Sequence, residues 1–125
     1  MLEGLLVVVL NWGSKNTQSV TDEFKRRTKE PWMTQDSIDT YGAIHIFKVA
    51  MEMAKSADRK VIGQTLHTMD INDGPAKIFP GGNIKFDETG RMALPGLMVL
   101  QWQNGEPVPV FPATVAVSRP KWGSQ

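Results

Sequence analysis

Cysteine is absent from this chain, which excludes disulfides, thiolate metal sites and a cysteine nucleophile. Histidine is scarce. His45 and His67 are the only two, and neither has a carboxylate at the HxxxE or HExxH spacing that builds a metal site. No GxGxxG or GxxxxGK occurs, and Gly81-Gly82 after Pro80 reads as a turn rather than a phosphate loop. Charge of one sign is not in excess either: 14 Lys and Arg face 13 Asp and Glu, leaving +1. A nucleic-acid or membrane-surface binder carries a basic excess or stripe. The densest basic run, Lys25-Arg26-Arg27 with Lys29, is broken up by Asp22, Glu23 and Glu30; it reads as a solvated helix face rather than a phosphate contact. Long apolar runs are also lacking. Leu5 to Leu10 falls far short of the roughly 20 residues that span a bilayer. It has no positive leading region and no small-residue cleavage site, so no signal peptide is expected in this chain.

The composition, 41% hydrophobic and 22% charged over 125 residues, is that of one soluble α/β-sized domain. A chain of this size buries roughly two-thirds of its unfolded surface. Leu5 to Leu10 reads as a strand buried on both faces of a parallel sheet. Ser19 or Thr21 caps a short helix to about Thr28, with Asp22 and Glu23 in its first turn and Pro31 closing it. The strongest helix runs from about Ser37 to Ala54, with one apolar row of Ile44, Phe47, Met51 and Ala54 and a second of Ala43, Ile46, Ala50 and Met53. Both rows, Phe47 included, are expected in the core. A third helix, about Asp58 to Met69, turns Val61, Ile62, Leu66 and Met69 inward, and Asn72-Asp73-Gly74-Pro75 stops it.

The remainder reads as β structure and turns. Lys77–Phe79 and Asn83–Phe86 are expected short strands, Leu97 to Gln103 is the longest late strand, and Asn104-Gly105 is a type I′ hairpin signal. Pro107 and Pro109 confine the returning strand to a sheet edge. The expected parts are a strand-and-helix part over 1–71, a β part over 72–112 and a tail over 113–125 in which Trp122 is the only large anchor.

Thr34 to Tyr41 concentrates hydrogen-bonding side chains just before a buried helix, where ligand contacts are commonly built. Capping by Thr34 or Ser37 and packing of Tyr41 beside Ile44 account for the same residues. Asp36 and Asp39 near the helix start serve either as dipole and cap chemistry or as an acid/base pair.

Five motifs in chain order resemble the C-terminal end of branched-chain amino acid-binding proteins, the periplasmic type I solute receptors of ABC transporters. They are Glu3-Gly4-Leu5 with its apolar run, Phe24 to Pro31, Thr40-Tyr41-Gly42-Ala43, Gly74-Pro75 with Phe86-Asp87-Glu88-Thr89-Gly90, and Gln101-Trp102-Gln103-Asn104-Gly105. The resemblance implies a partial lobe of the type I periplasmic-binding-protein fold: a parallel strand and three helices, then a C-terminal antiparallel hairpin unit. It implies a periplasmic or extracellular parent protein that binds an amino acid or amide between two closing lobes and docks on an ABC permease, with no cofactor and no bond chemistry. By position, the ligand-facing segment is Gln35, Asp36 and Ile38, with Tyr41 beside it. Asp36 stands where the family usually places an aromatic residue, and a carboxylate there suits a ligand with a positive or amide group.

The family's first-lobe contacts have no counterpart in this chain, so weak or absent ligand binding by the chain alone is expected. An incomplete sheet and a helix buried on two sides imply a homodimer that covers the remaining apolar surface. A small self-associating structural module and an amide-sensing regulator are the alternatives. No constellation here activates a nucleophile or a water, so an enzyme is not expected.

Overall fold

A computed structural model describes residues 2–123; Met1 and the last two residues of the expected tail, Ser124 and Gln125, lie outside it. The chain divides into two compact units, one made of Met1–Ile38 with Leu97–Gln125 and the other of Asp39–Gly96. This grouping differs from the 1–71, 72–112 and 113–125 parts read from composition, because long-range strand pairing joins the two ends of the chain.

In the first unit, strands β1 (Leu6–Val9), β4 (Met98–Gln103) and β5 (Glu106–Phe111) form a sheet in the order β1-β4-β5. The expected parallel strand is not parallel. β1 runs antiparallel to β4, from Leu6 opposite Gln101 to Val9 opposite Met98. Nor is it buried on both faces: Leu6 is 42% and Val8 65% exposed. A continuous apolar run specifies a strand but neither its pairing direction nor which of its faces this chain covers. The hairpin signal holds. Asn104 and Gly105 both have positive φ, 57° and 81°, as a type I′ turn requires. The proline-bearing β5 lies at the sheet edge, as its composition demands.

The tail is anchored by residues other than the expected Trp122, which is 74% exposed. Gln101 and Gln103 alternate onto one face of β4 and are 1% and 5% exposed. Gln101 Nε2 donates to the Lys121 carbonyl at 2.8 Å, and its Oε1 accepts the Lys121 N–H at 2.7 Å. Gln103 Nε2 donates to the Arg119 carbonyl at 2.9 Å, and the Ser118 hydroxyl donates to Gln103 Oε1 at 3.0 Å. At the other end of the chain, the Glu3 carboxylate accepts the N–H groups of Asn104 and Gly105 at 2.9 and 3.2 Å.

Helix α1 (Gln18–Thr28) starts one turn earlier than Ser19 or Thr21 would place it. Thr17 is the N-cap residue, so Asp22 and Glu23 fall beyond the first turn. Lys25, Arg26 and Arg27 sit in the last turn, at the negative end of the helix dipole. Arg26 and Arg27 both pair with Glu23, whose carboxyl is lowered from 4.5 to about 2 by those hydrogen bonds.

Helix α2 (Gln35–Ala54) begins two residues before the expected start. In the second unit its inward line is Gly42, Ile46 and Ala50. Ile46 and Ala50 join Met69, Ala76 and Ile84 in one core, with Val49, Leu66 and Phe79 among the side chains against it. A Cβ at Gly42 would stand 2.7 Å from the Phe79 ring, so glycine is what allows this approach inside a helix. The expected row of Ile44, Phe47 and Met51 is not core: these residues are exposed. A helix apolar over most of its circumference does not by periodicity reveal which side is covered. Helix α3 (Arg59–Thr68) is capped by Asp58, whose carboxylate accepts the Lys60 and Val61 N–H groups. Ile62, Leu66 and Met69 face the core as expected, while Val61 is exposed.

The short strands β2 (Asp70–Ile71) and β3 (Ile84–Lys85) pair antiparallel, with Asp70 opposite Lys85. The expected strand at Lys77–Phe79 is instead the end of a 3₁₀ turn over Gly74–Ile78, set by Pro75 in its first positions. Asp87 Oδ1 accepts from the Thr89 N–H, the Thr89 hydroxyl and the Arg91 N–H at 2.7 to 3.0 Å, closing the acidic turn.

Candidate functional site

The Thr34–Tyr41 segment is the start of α2. The Thr34 and Ser37 hydroxyls lie 3.1 Å apart, and the Ile38 N–H donates to the Thr34 carbonyl. Gln35 Oε1 accepts the Leu10 N–H at 2.9 Å, tying the helix start to the end of β1. Ile38 is wholly buried, whereas Asp36, in the first turn of α2, is exposed. Tyr41, in the second unit, is half-buried with its ring 4.5 Å from that of His45 and tilted by 55°. Of the four sequence-predicted residues, then, Gln35 is engaged by backbone, Ile38 is enclosed, and Asp36 is exposed.

A separate concavity of about 170 Å³ lies within the first unit. Trp12 and Gly13, the Gln18, Thr21 and Lys25 face of α1, Trp32-Met33, and Glu106 to Pro109 of β5 surround it. None of the four predicted residues lines it. Trp32 is fixed edge-on against Trp102, with ring centroids 5.7 Å apart and planes at 87°. Sequence reasoning passed over Trp12 and Trp32 as connecting residues. Their signal was a tryptophan in each of two loops flanking the same helix, since a large ring in a connection calls for a partner to pack against.

Among the described residues, no group of three or more His, Asp or Glu side chains is placed to hold a metal ion. No helix among them is long and apolar enough to cross a membrane. The site therefore offers hydrogen-bonding, aromatic and charged surfaces.

No protein-family model matches the chain. Against individual proteins the result is different. Leu/Ile/Val-binding protein homolog 7 of Brucella suis biovar 1 is 27% identical over 101 residues, covering 81% of this chain. The proteins of the same name from Brucella abortus and Brucella melitensis match to the same extent. The chain is thus similar to proteins named as homologues of Leu/Ile/Val-binding proteins. The match takes in 25% of the length of those relatives, so the chain corresponds to about a quarter of each. The mixed α/β architecture, three helices with antiparallel strands, accompanies that homology.

Proposed function

We propose that the chain is part of the solute-binding component of an ABC transporter for branched-chain amino acids or amide-like small molecules. It acts by ligand binding and lobe closure, without bond chemistry, in a periplasmic or extracellular setting where an ABC permease is the partner. The observation that carries this reading is the 27% identity over 81% of the chain to Leu/Ile/Val-binding protein homologues. Asp36 supplies the exposed polar contact to a ligand's positive or amide group, with Gln35 and Ile38 holding the helix start. The chain matches a quarter of its relatives' length, and its own binding is weak, with a dissociation constant of about 1 mM or above, or lost.

The open side of β1 supports a homodimer. β1 holds no proline or charge, whereas β5 presents Pro107 and Pro109. Strand addition thus favours β1 against β1 of a second copy, an isologous contact that closes. The same exposed run favours the second reading, a self-associating structural or amide-sensing regulatory module.

Thermal unfolding with added ligand tests the reading. With a dissociation constant of about 1 mM, 10 mM leucine adds about 1.4 kcal/mol and raises the midpoint by roughly 4–8 °C. A rise several times larger with leucine, isoleucine, valine or a small amide, as micromolar affinity would give, would refute weak or lost binding by this chain. Native mass spectrometry showing only monomer would refute the dimer.

A further inference from the structure

We infer that the concavity between α1, the Trp32-Met33 loop and β5 is a subsite for a small zwitterion with an apolar body. The choice of leucine as first probe rests on the receptor reading above; the site itself rests on its own chemistry. Lys25 and Glu106 both line it, and both are exposed. Neither side chain belongs to any of the salt bridges of the described residues, while the adjacent Arg26 and Arg27 are both committed to Glu23. One uncommitted cation and one uncommitted anion on a single small concavity select against simple ions. An anion is disfavoured by Glu106 and a cation by Lys25, while a molecule carrying both charges satisfies both.

Part of the rest of the wall is apolar and firmly placed, beside the polar side chains of Gln18 and Thr21. Trp32 is held against Trp102, Met33 and Pro109 are buried, and β5 is paired with β4 from Glu106 to Phe111. Such a surface receives an aliphatic side chain without having to order itself first. The volume of about 170 Å³ corresponds to roughly five or six liquid waters, which suits a free amino acid and is too small for a nucleotide or a peptide. The whole site lies in one unit and so needs no lobe closure. It is a different place from the Gln35–Tyr41 segment.

The test is an amide NMR titration of the full chain with L-leucine. The comparators are 3-methylbutan-1-amine, which lacks the carboxylate, and 4-methylpentanoate, which lacks the amine. Saturable shifts at Trp12, Lys25, Trp32 and Val108 are expected, with each single-charge analogue at least about fivefold weaker, a difference of about 1 kcal/mol. Lys25→Gln and Glu106→Gln should each weaken leucine about fivefold, while Glu88→Gln, an exposed residue away from the concavity, leaves it unchanged. Both substituted residues are exposed, and an unchanged spectrum away from the site verifies the fold. Leucine shifts confined to the Gln35–Tyr41 segment and abolished by Asp36→Asn would overturn the subsite and leave the receptor reading standing. Equal binding of leucine and its single-charge analogues, or no shift with any zwitterion to 50 mM (roughly the weakest constant such a contact area gives), would also overturn it. Binding of glycine betaine but not leucine, isoleucine or valine would support the subsite and count against the receptor reading.

Discussion

Gln101 shows how one residue carries more than its position in a motif reveals. Its amide is buried and exchanges two hydrogen bonds with the Lys121 backbone, so the strand and the tail satisfy each other's polar groups. Gln101→Leu keeps a similar bulk but leaves those backbone groups without their partner; it is expected to cost about 1–3 kcal/mol. Urea unfolding gives the cost, and hydrogen exchange at Lys121 should accelerate if the tail is released. Phe47 points the other way. As a core residue its truncation would cost about 3–5 kcal/mol, but at 52% exposure Phe47→Ala should cost about 1 kcal/mol or less. A core-sized loss in dilute chemical unfolding would contradict its placement. Gly42→Ala should be the more damaging change of the two, at about 1–3 kcal/mol, because the added methyl meets the Phe79 ring.

Among the elements, local chemistry was the legible part of the sequence. Asn104-Gly105 specified its turn through positive φ and the prolines of β5 specified an edge, whereas Gly74-Pro75 opens a 3₁₀ turn instead of stopping α3, which ends at Thr68. What depends on distant partners was not legible. The Leu6–Val9 run carries no record of its antiparallel neighbour, and the covered side of α2 is decided by Met69, Ala76 and Ile84. The 170 Å³ concavity draws on residues around positions 12, 32 and 107, which no local pattern links. Around the predicted site residues, the sequence placed the helix start two residues late and gave no sign that Gln35 would be taken up by the Leu10 N–H.

Electrostatics at this scale make a further prediction. Glu23, Asp70, Asp73 and Asp87 all have carboxyls lowered from their ordinary values, chiefly by hydrogen bonds from Arg26, Lys85, Lys77 and Thr89 respectively. A group depressed in the folded state contributes stability above its unfolded pKa and loses it as pH falls through the folded one. The thermal midpoint should therefore decline on acidification, with the Glu23 part falling between 4.5 and about 2. These groups are exposed, so the decline should be small and should shrink in high salt. In Glu23→Gln the slope over that window should be shallower; an unchanged slope would show that the pairing with Arg26 and Arg27 contributes nothing.

For the whole molecule, homology and surface agree on incompleteness of function rather than of fold. The two units each have ordered secondary structure, yet the chain corresponds to a quarter of the length of the binding proteins it matches. Leu6, Val8, Ile44 and Phe47 remain exposed, a load of apolar surface that soluble proteins usually cover with a partner. On the proposed receptor reading the ligand contacts are divided between lobes, and a chain carrying one share binds its solute weakly or not at all. The most direct test is calorimetric titration of the purified chain with leucine, isoleucine, valine and small amides. The account predicts millimolar binding at most. Micromolar affinity for any of them would contradict the claim that this chain holds only part of the site.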